Sequence, residues 1–356
     1  MSRPGPFRTL LLSRLREFYR EPEAIFWVYG FPVLLAVGLG IAFRERPPEE
    51  VHVDVAAPAA APDAGSADAA ATAAALKALE GDRRFRARSC AGEECAQRLR
   101  LGRTDIVVVA RAGGVEFRFD PTRPESILAR ARAEDALQRA AGRTDPVAVA
   151  ERQVEEPGSR YIDFLIPGLL GMNLMGGGLW GIGFVIVDMR VRKLLKRLVA
   201  TPMRRSDFLL AMMGSRILFM LPEVALLLLA GSLLFQVRVQ GSLLAVLAVS
   251  LLGAVSFAGL GLLVACRAQK IETVSGLMNV VMLPMWLLSG IFFSSERFPA
   301  ILQPVIQALP LTMLNDALRA VILEGAGLAS QSLRIAGLVL WGAASFVLAL
   351  RWFRWS

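Results

Sequence analysis

The chain has 356 residues, 54% of them hydrophobic and 20% charged, with a mean hydropathy of +0.49 and a formal net charge of +9. Apolar residues gathered into runs of about twenty mark an integral membrane protein. A single histidine (His52) and three cysteines (Cys90, Cys95, Cys266) exclude histidine-based acid–base and zinc chemistry. Base-reading motifs and aromatic-interleaved basic clusters are absent, which excludes nucleic-acid binding.

Residues 1–23 place Phe7, Leu10, Leu11, Leu15 and Phe18 on one helical face, with Arg8, Arg16 and Arg20 off it. That pattern predicts an amphipathic helix in the cytoplasmic interface. Residues 24–43 have no charge and suffice for a first span. The run is too long for a secretory signal, and it ends in Arg44-Glu45-Arg46 with no small-residue cleavage site. The amino end is therefore expected inside, and residues 44–160 outside.

Residues 44–160 are soluble in character and nearly neutral, with 19 basic against 20 acidic residues. Long loops escape the positive-inside bias, so these arginines do not oppose an outer location. Val51, Val53 and Val55 alternate with His52 and Asp54, as in a half-buried strand. Residues 56–75 are Ala- and Pro-rich and read as a loose connection into a helix ending near Glu80. Strands are expected at 83–88, 106–109 and 115–119, and helices at 92–101 and 125–141, which together make a small α+β domain. Cys90 and Cys95, five residues apart, are either a disulfide of an oxidising compartment or two free thiols. No serine has a histidine to activate it, and no catalytic constellation forms.

Residues 161–356 are nearly all membrane, with further spans at about 162–187, 208–235, 242–266, 274–293 and 335–353. The fold class is an α-helical polytopic membrane protein: six transmembrane helices, both termini cytoplasmic, and an α+β extracytoplasmic domain between the first and second. Gly171, Gly176, Gly177, Gly178, Gly181 and Gly183 in the second span predict close backbone packing. Arg216 and Glu223 lie two helical turns apart on one face of the third span. They are either an intramembrane functional pair, or a snorkelling arginine and a separately bonded glutamate. Asp163 and Asp188 are expected at the interfaces, and Glu272 and Asn279 in packing roles.

Two connections are unusual. Residues 190–205, RVRKLLKRLVATPMRR, hold Arg190, Arg192, Lys193, Lys196, Arg197, Arg204 and Arg205 without an acid. Such a loop stays in the cytoplasm near anionic membrane lipid. Leu194, Leu195, Leu198 and Val199 recur at helical spacing until Thr201-Pro202 breaks the pattern. The helix either rests on lipid headgroups or touches a partner protein. Residues 294–319, with Pro299, Pro304 and Pro310, hold apolar pieces too short to cross and predict an outer re-entrant hairpin.

These two stretches resemble the ABC-2 type permeases, the membrane subunits of a class of ATP-driven exporters. The likeness rests on Ser289-Gly290-Ile291-Phe292-Phe293, Phe298-Pro299, Leu309-Pro310-Leu311-Thr312 and Ala317-Leu318-Arg319, and on Arg190, Arg192, Leu195, Arg197, Leu198, Ala200-Thr201-Pro202 and Arg204-Arg205. Val191, Lys193, Leu194 and Lys196 stand where many members have acids and a glycine-threonine pair. The resemblance implies an export permease subunit, not itself an enzyme, in the cytoplasmic (inner) membrane. It also implies a second permease chain (homodimer or paralogous heterodimer), a separate ABC ATP-binding subunit docked under residues 190–205, and room for a periplasmic adaptor. No GxxxxGK[ST] loop occurs in the sequence, so no nucleotide cofactor is expected in this chain and ATP belongs to the partner. The alternative is a membrane receptor or assembly factor with an outer sensing domain, which a cytoplasmic output domain would favour.

Overall fold

The computed structural model describes residues 6–43, 50–56, 67–111, 113–145, 147, 150, 158, 160–201 and 205–353. It forms two compact units: Glu45–Gln153, and Met1–Arg44 together with Val154–Ser356.

In the unit Glu45–Gln153, strands β1 (Val51–Ala56), β2 (Phe85–Cys90), β3 (Ile106–Arg111) and β4 (Gly114–Arg118) form one sheet in the order β2-β1-β3-β4. β1 runs parallel to both β2 and β3, and only β3–β4 is an antiparallel hairpin. Parallel neighbours need a crossover. The helices Ala67–Glu80 and Gly92–Arg100 supply them, so the unit is wound strand–helix–strand and not segregated as the expected α+β class would be. On one face Val53, Val55, Ile106 and Val108 pack with Leu79, Ala129 and Ala133. On the other, Ala56 and Val107 pack with Cys90 and Cys95. Burial on both faces explains why β1 lacks a clean polar alternation. Its buried Asp54 is matched by Arg98, whose Nε lies 2.6 Å from the carboxylate. At the surface, hydrogen bonding from Arg84 lowers the pKa of Asp82 below the usual carboxylate value.

Cys90 and Cys95 form a disulfide, with Cα atoms 5.7 Å apart. It ties the end of β2 to the first helical turn after it. Replacing both cysteines by alanine should destabilise this unit by about 2 kcal/mol, the loop-entropy value for so short a closure. Thermal unfolding followed by circular dichroism would read this, and an unchanged midpoint would refute it.

Among its described residues the other unit holds six helices long and apolar enough to cross a membrane: Pro22–Ala42, Tyr161–Val191, Asp207–Phe235, Leu243–Ala265, Ile271–Leu288 and Leu328–Trp352, numbered here as spans one to six. The amino-terminal helix Pro6–Tyr19 lays its apolar face along the third span, with Phe7 and Leu11 near Gly214 and the Phe18 ring 4.3 Å from that of Phe219.

Two differences from expectation concern helix ends. The fifth span stops at Leu288, short of residue 293, because Ser289 closes the last turn and Gly290 takes a left-handed backbone (φ 69°). The bent element is Ala300–Ala308 and Pro310–Leu323, meeting at 84°, and its second arm runs past residue 319. The bend falls at Leu309, which is extended (ψ 134°) because the residue before a proline is pushed out of the helical region. Pro310 then starts the next helix, where its missing N–H costs nothing.

The second and fourth spans cross at backbone contact. A Cβ on Gly261 would lie 2.4 Å from the carbonyl oxygen of Gly178, and one on Gly183 would lie 2.6 Å from that of Gly261. Only glycine fits at these positions, whereas a Cβ at Gly176 or Gly181 would meet nothing within 4 Å, so part of the run does not pack as closely as expected.

Candidate coupling loop and buried ion pair

The basic segment is not one helix. The second span ends at Val191, Lys193 is left-handed (φ 58°), and a short helix resumes at Leu194–Val199. Without a Gly or Asn at the joint, nothing in the composition announces the left-handed residue.

The break sorts the cations into two groups. Arg190 turns back into the bundle. Its guanidinium donates to the carbonyls of Ala265 (2.9 Å), Cys266 (3.3 Å) and Ala268 and sits 5.5 Å from the Phe353 ring centroid. A cation on the last carbonyls of a helix satisfies groups that have no intrahelical donor. Arg190 thus caps the fourth span. Arg192 pairs with Asp188 at 2.9 Å. Lys193, Lys196 and Arg197 are exposed, and among the described residues none makes a salt bridge. Buried Leu195 pins the short helix beneath them. Thr201 Oγ1 donates to the Leu198 carbonyl (2.6 Å) and closes the helix. Pro202 and Arg204 lie outside the described residues, and Arg205 begins the long helix containing the third span.

Arg216 and Glu223 are brought together: Nη1 lies 2.9 Å from Oε2, with the side chains 5% and 0% exposed. Nη2 also reaches the Leu174 carbonyl at 3.3 Å. A Cβ at position 177 would stand 2.0 Å from the Arg216 Cζ, so Gly177 is the space the guanidinium occupies. Burial and the second acceptor favour the intramembrane pair over the snorkelling alternative. Glu272 and Asn279 are both exposed on the fifth span. Asp163 is buried against Arg160 (2.9 Å) at the start of the second span.

In the stretch from Ser289 into the bent element, Ser289, Pro310 and Thr312 are buried, Pro299 is exposed, and the Phe293 and Phe298 rings pack 5.8 Å apart. Two residues that site reasoning passed over organise it. Asn315 donates to the Ser289 carbonyl (2.9 Å), and its Oδ1 lies so close to Gly171 that a Cβ there would be 1.9 Å away. Arg319, one turn on, donates to the carbonyls of Gly290 and Phe164 (3.5 Å), its guanidinium 3.7 Å from the Phe164 ring centroid. The signal was present: a polar residue and a cation at i and i+4, with Asp316 between them, in a helix otherwise apolar but for Thr312.

Removing one member of the buried pair should cost roughly 3–5 kcal/mol, since the other charge is stranded. Glu223→Leu is therefore expected to lower the unfolding midpoint of the purified protein sharply. Arg216→Met together with Glu223→Leu should recover most of that loss. A double variant no more stable than the single one would refute an isolated pair.

Residues 133–323 match the family model described as ABC-2 type transporter. The chain is also similar to ABC transporter G family member 20 of Dictyostelium discoideum, at 26% identity over 186 residues. That alignment covers 52% of this chain and 25% of the relative, so the chain matches about a quarter of the relative's length.

Proposed function

Because the chain belongs to the ABC-2 type transporter family, its match spanning residues 133–323 of 356, we propose that it is the permease subunit of an ATP-driven exporter. A separate ABC ATP-binding subunit would hydrolyse the nucleotide, as the sequence has no phosphate-binding loop of its own. The observation that supports this reading best is the short helix Leu194–Val199. It presents Lys193, Lys196 and Arg197 outward, while Leu195 and Arg190 fasten its base to the bundle. A protein docked there gains charge complementarity, and its displacement reaches the second and third spans directly. Alternating access between two such chains is the motion that closure of the ATPase would bias.

In this reading the short basic loops face the cytosol, both termini lie there, and the unit Glu45–Gln153 lies outside. The Cys90–Cys95 disulfide favours an oxidising compartment for that unit, in keeping with an inner-membrane exporter. The second permease chain, homologous or identical, completes the path, and a periplasmic adaptor would meet the outer unit. Arg192, Lys193, Lys196, Arg197 and Thr201 are the docking residues, followed in sequence by Pro202, Arg204 and Arg205. Arg190 supports them from beneath.

Charge reversal at Lys196 and Arg197 should lower permease-dependent ATPase stimulation by roughly an order of magnitude, the scale of lost charge complementarity at an interface. Membrane insertion should be unaffected. Undiminished stimulation in the reconstituted complex would remove the docking role. A reporter fused after Ala140 should be accessible from outside only, and cytoplasmic labelling there would overturn the topology.

A further inference from the structure

Three hydrogen bonds join the first three spans in a closed circuit. Tyr29 in the first span donates its hydroxyl to the Phe219 carbonyl of the third (3.2 Å). Arg216 in the third donates to the Leu174 carbonyl of the second (3.3 Å). Asn173 in the second donates its amide to the Val28 carbonyl of the first (2.9 Å). Each span gives one bond and takes one.

One acceptor is released by a proline, and the other two lie close to irregular turns. Pro32 lies four residues after Val28 and has no N–H to offer that carbonyl. Pro222, inside the third span, leaves without a donor the carbonyl of Leu218, the residue next to Phe219. Leu174 lies one turn before the widened stretch Leu179–Phe184, where the second span leaves regular α-helix, and Val28 sits inside the corresponding stretch Phe26–Gly30 of the first. Main-chain groups released at membrane depth persist only when a neighbour satisfies them. For Val28 that neighbour is Asn173 of the second span, and the carbonyls of Phe219 and Leu174 likewise accept from an adjacent span.

We infer that Tyr29, Asn173 and Arg216 are positioning residues whose circuit locks spans one to three into a single body. A displacement at residues 190–205, between the second and third spans, is then carried to the first span as well. This last step rests on the coupling role proposed above. The circuit itself does not.

The test is a double-variant cycle in the full chain, with Tyr29→Phe and Asn173→Leu separately and together. In lipid nanodiscs the circuit predicts non-additive shifts in unfolding midpoint: once either bond is lost, the second costs little more. Additive shifts would overturn it. In the complex with its ATPase, either single variant should lower the stimulated rate by roughly three- to tenfold, the range of hydrogen-bond strengths between membrane helices. The KM for ATP should not change, and the double variant should be no worse than the weaker single one. An unaltered rate alongside non-additive midpoints would overturn transmission to the first span. A wild-type complex without ATPase stimulation would overturn the coupling role and transmission together, leaving the nanodisc cycle to decide the circuit.

Discussion

Backbone carbonyls at membrane depth cannot be left without a donor, and this requirement shapes the bundle more than any side-chain preference does. Hydrocarbon offers no water, so a carbonyl that a proline leaves without a donor inside a span needs one from a neighbouring helix. Pro32 lies four residues after Val28, whose carbonyl accepts from the second span, while Pro222 and Pro167 lie three residues after Phe219 and Phe164, beside the carbonyls they leave without a donor. Tyr29, Asn173 and Arg319 are the donors. The polar residues of the spans are thus matched to the irregularities of their neighbours, which fixes which faces meet and at what height.

Where hydrogen bonds do not dictate contact, absence of side chain does. The second and fourth spans touch through Gly178, Gly183 and Gly261, and the fourth and sixth through Gly259 and Gly342. Ser256 Oγ donates to the Leu338 carbonyl at that second crossing (2.7 Å). Lipid is as apolar as leucine, so such close approach supplies dispersion that hydrophobicity cannot. The fourth span becomes the axis of the bundle, and Arg190 closes its last turn from the second span. The loop that begins at Arg190 is therefore anchored to two spans at its origin.

How far this was legible in the sequence depended on which groups carry the signal. Long charge-free runs placed the spans, because crossing length is a property of side chains. Alternation at Val51, Val53 and Val55 placed β1, though not its two covered faces, since the partner helices are distant in sequence. Seven-residue spacing brought Arg216 to Glu223. Sequence could not show that Arg190 parts company with Lys196, because a left-handed lysine leaves no compositional trace. Nor could it reveal carbonyl acceptors, since every residue has one and only the prolines hint at which are free. Asn315 and Arg319 were visible as polar positions, while their role awaited the backbone of Ser289, Gly290 and Phe164.

The left-handed joint at Lys193 interrupts the hydrogen-bond ladder between Val191 and Leu194, so the short helix is no continuation of the rod above it. A connection of that kind behaves as a swivel. Torque about the short helix's own axis dissipates at a single pair of backbone rotations, whereas thrust along the chain passes into the packed base formed by Leu195 and Arg190. In the docking arrangement proposed above, a companion seated on the lysines would roll without twisting the membrane helices, and only its approach or withdrawal would be felt inside the bilayer.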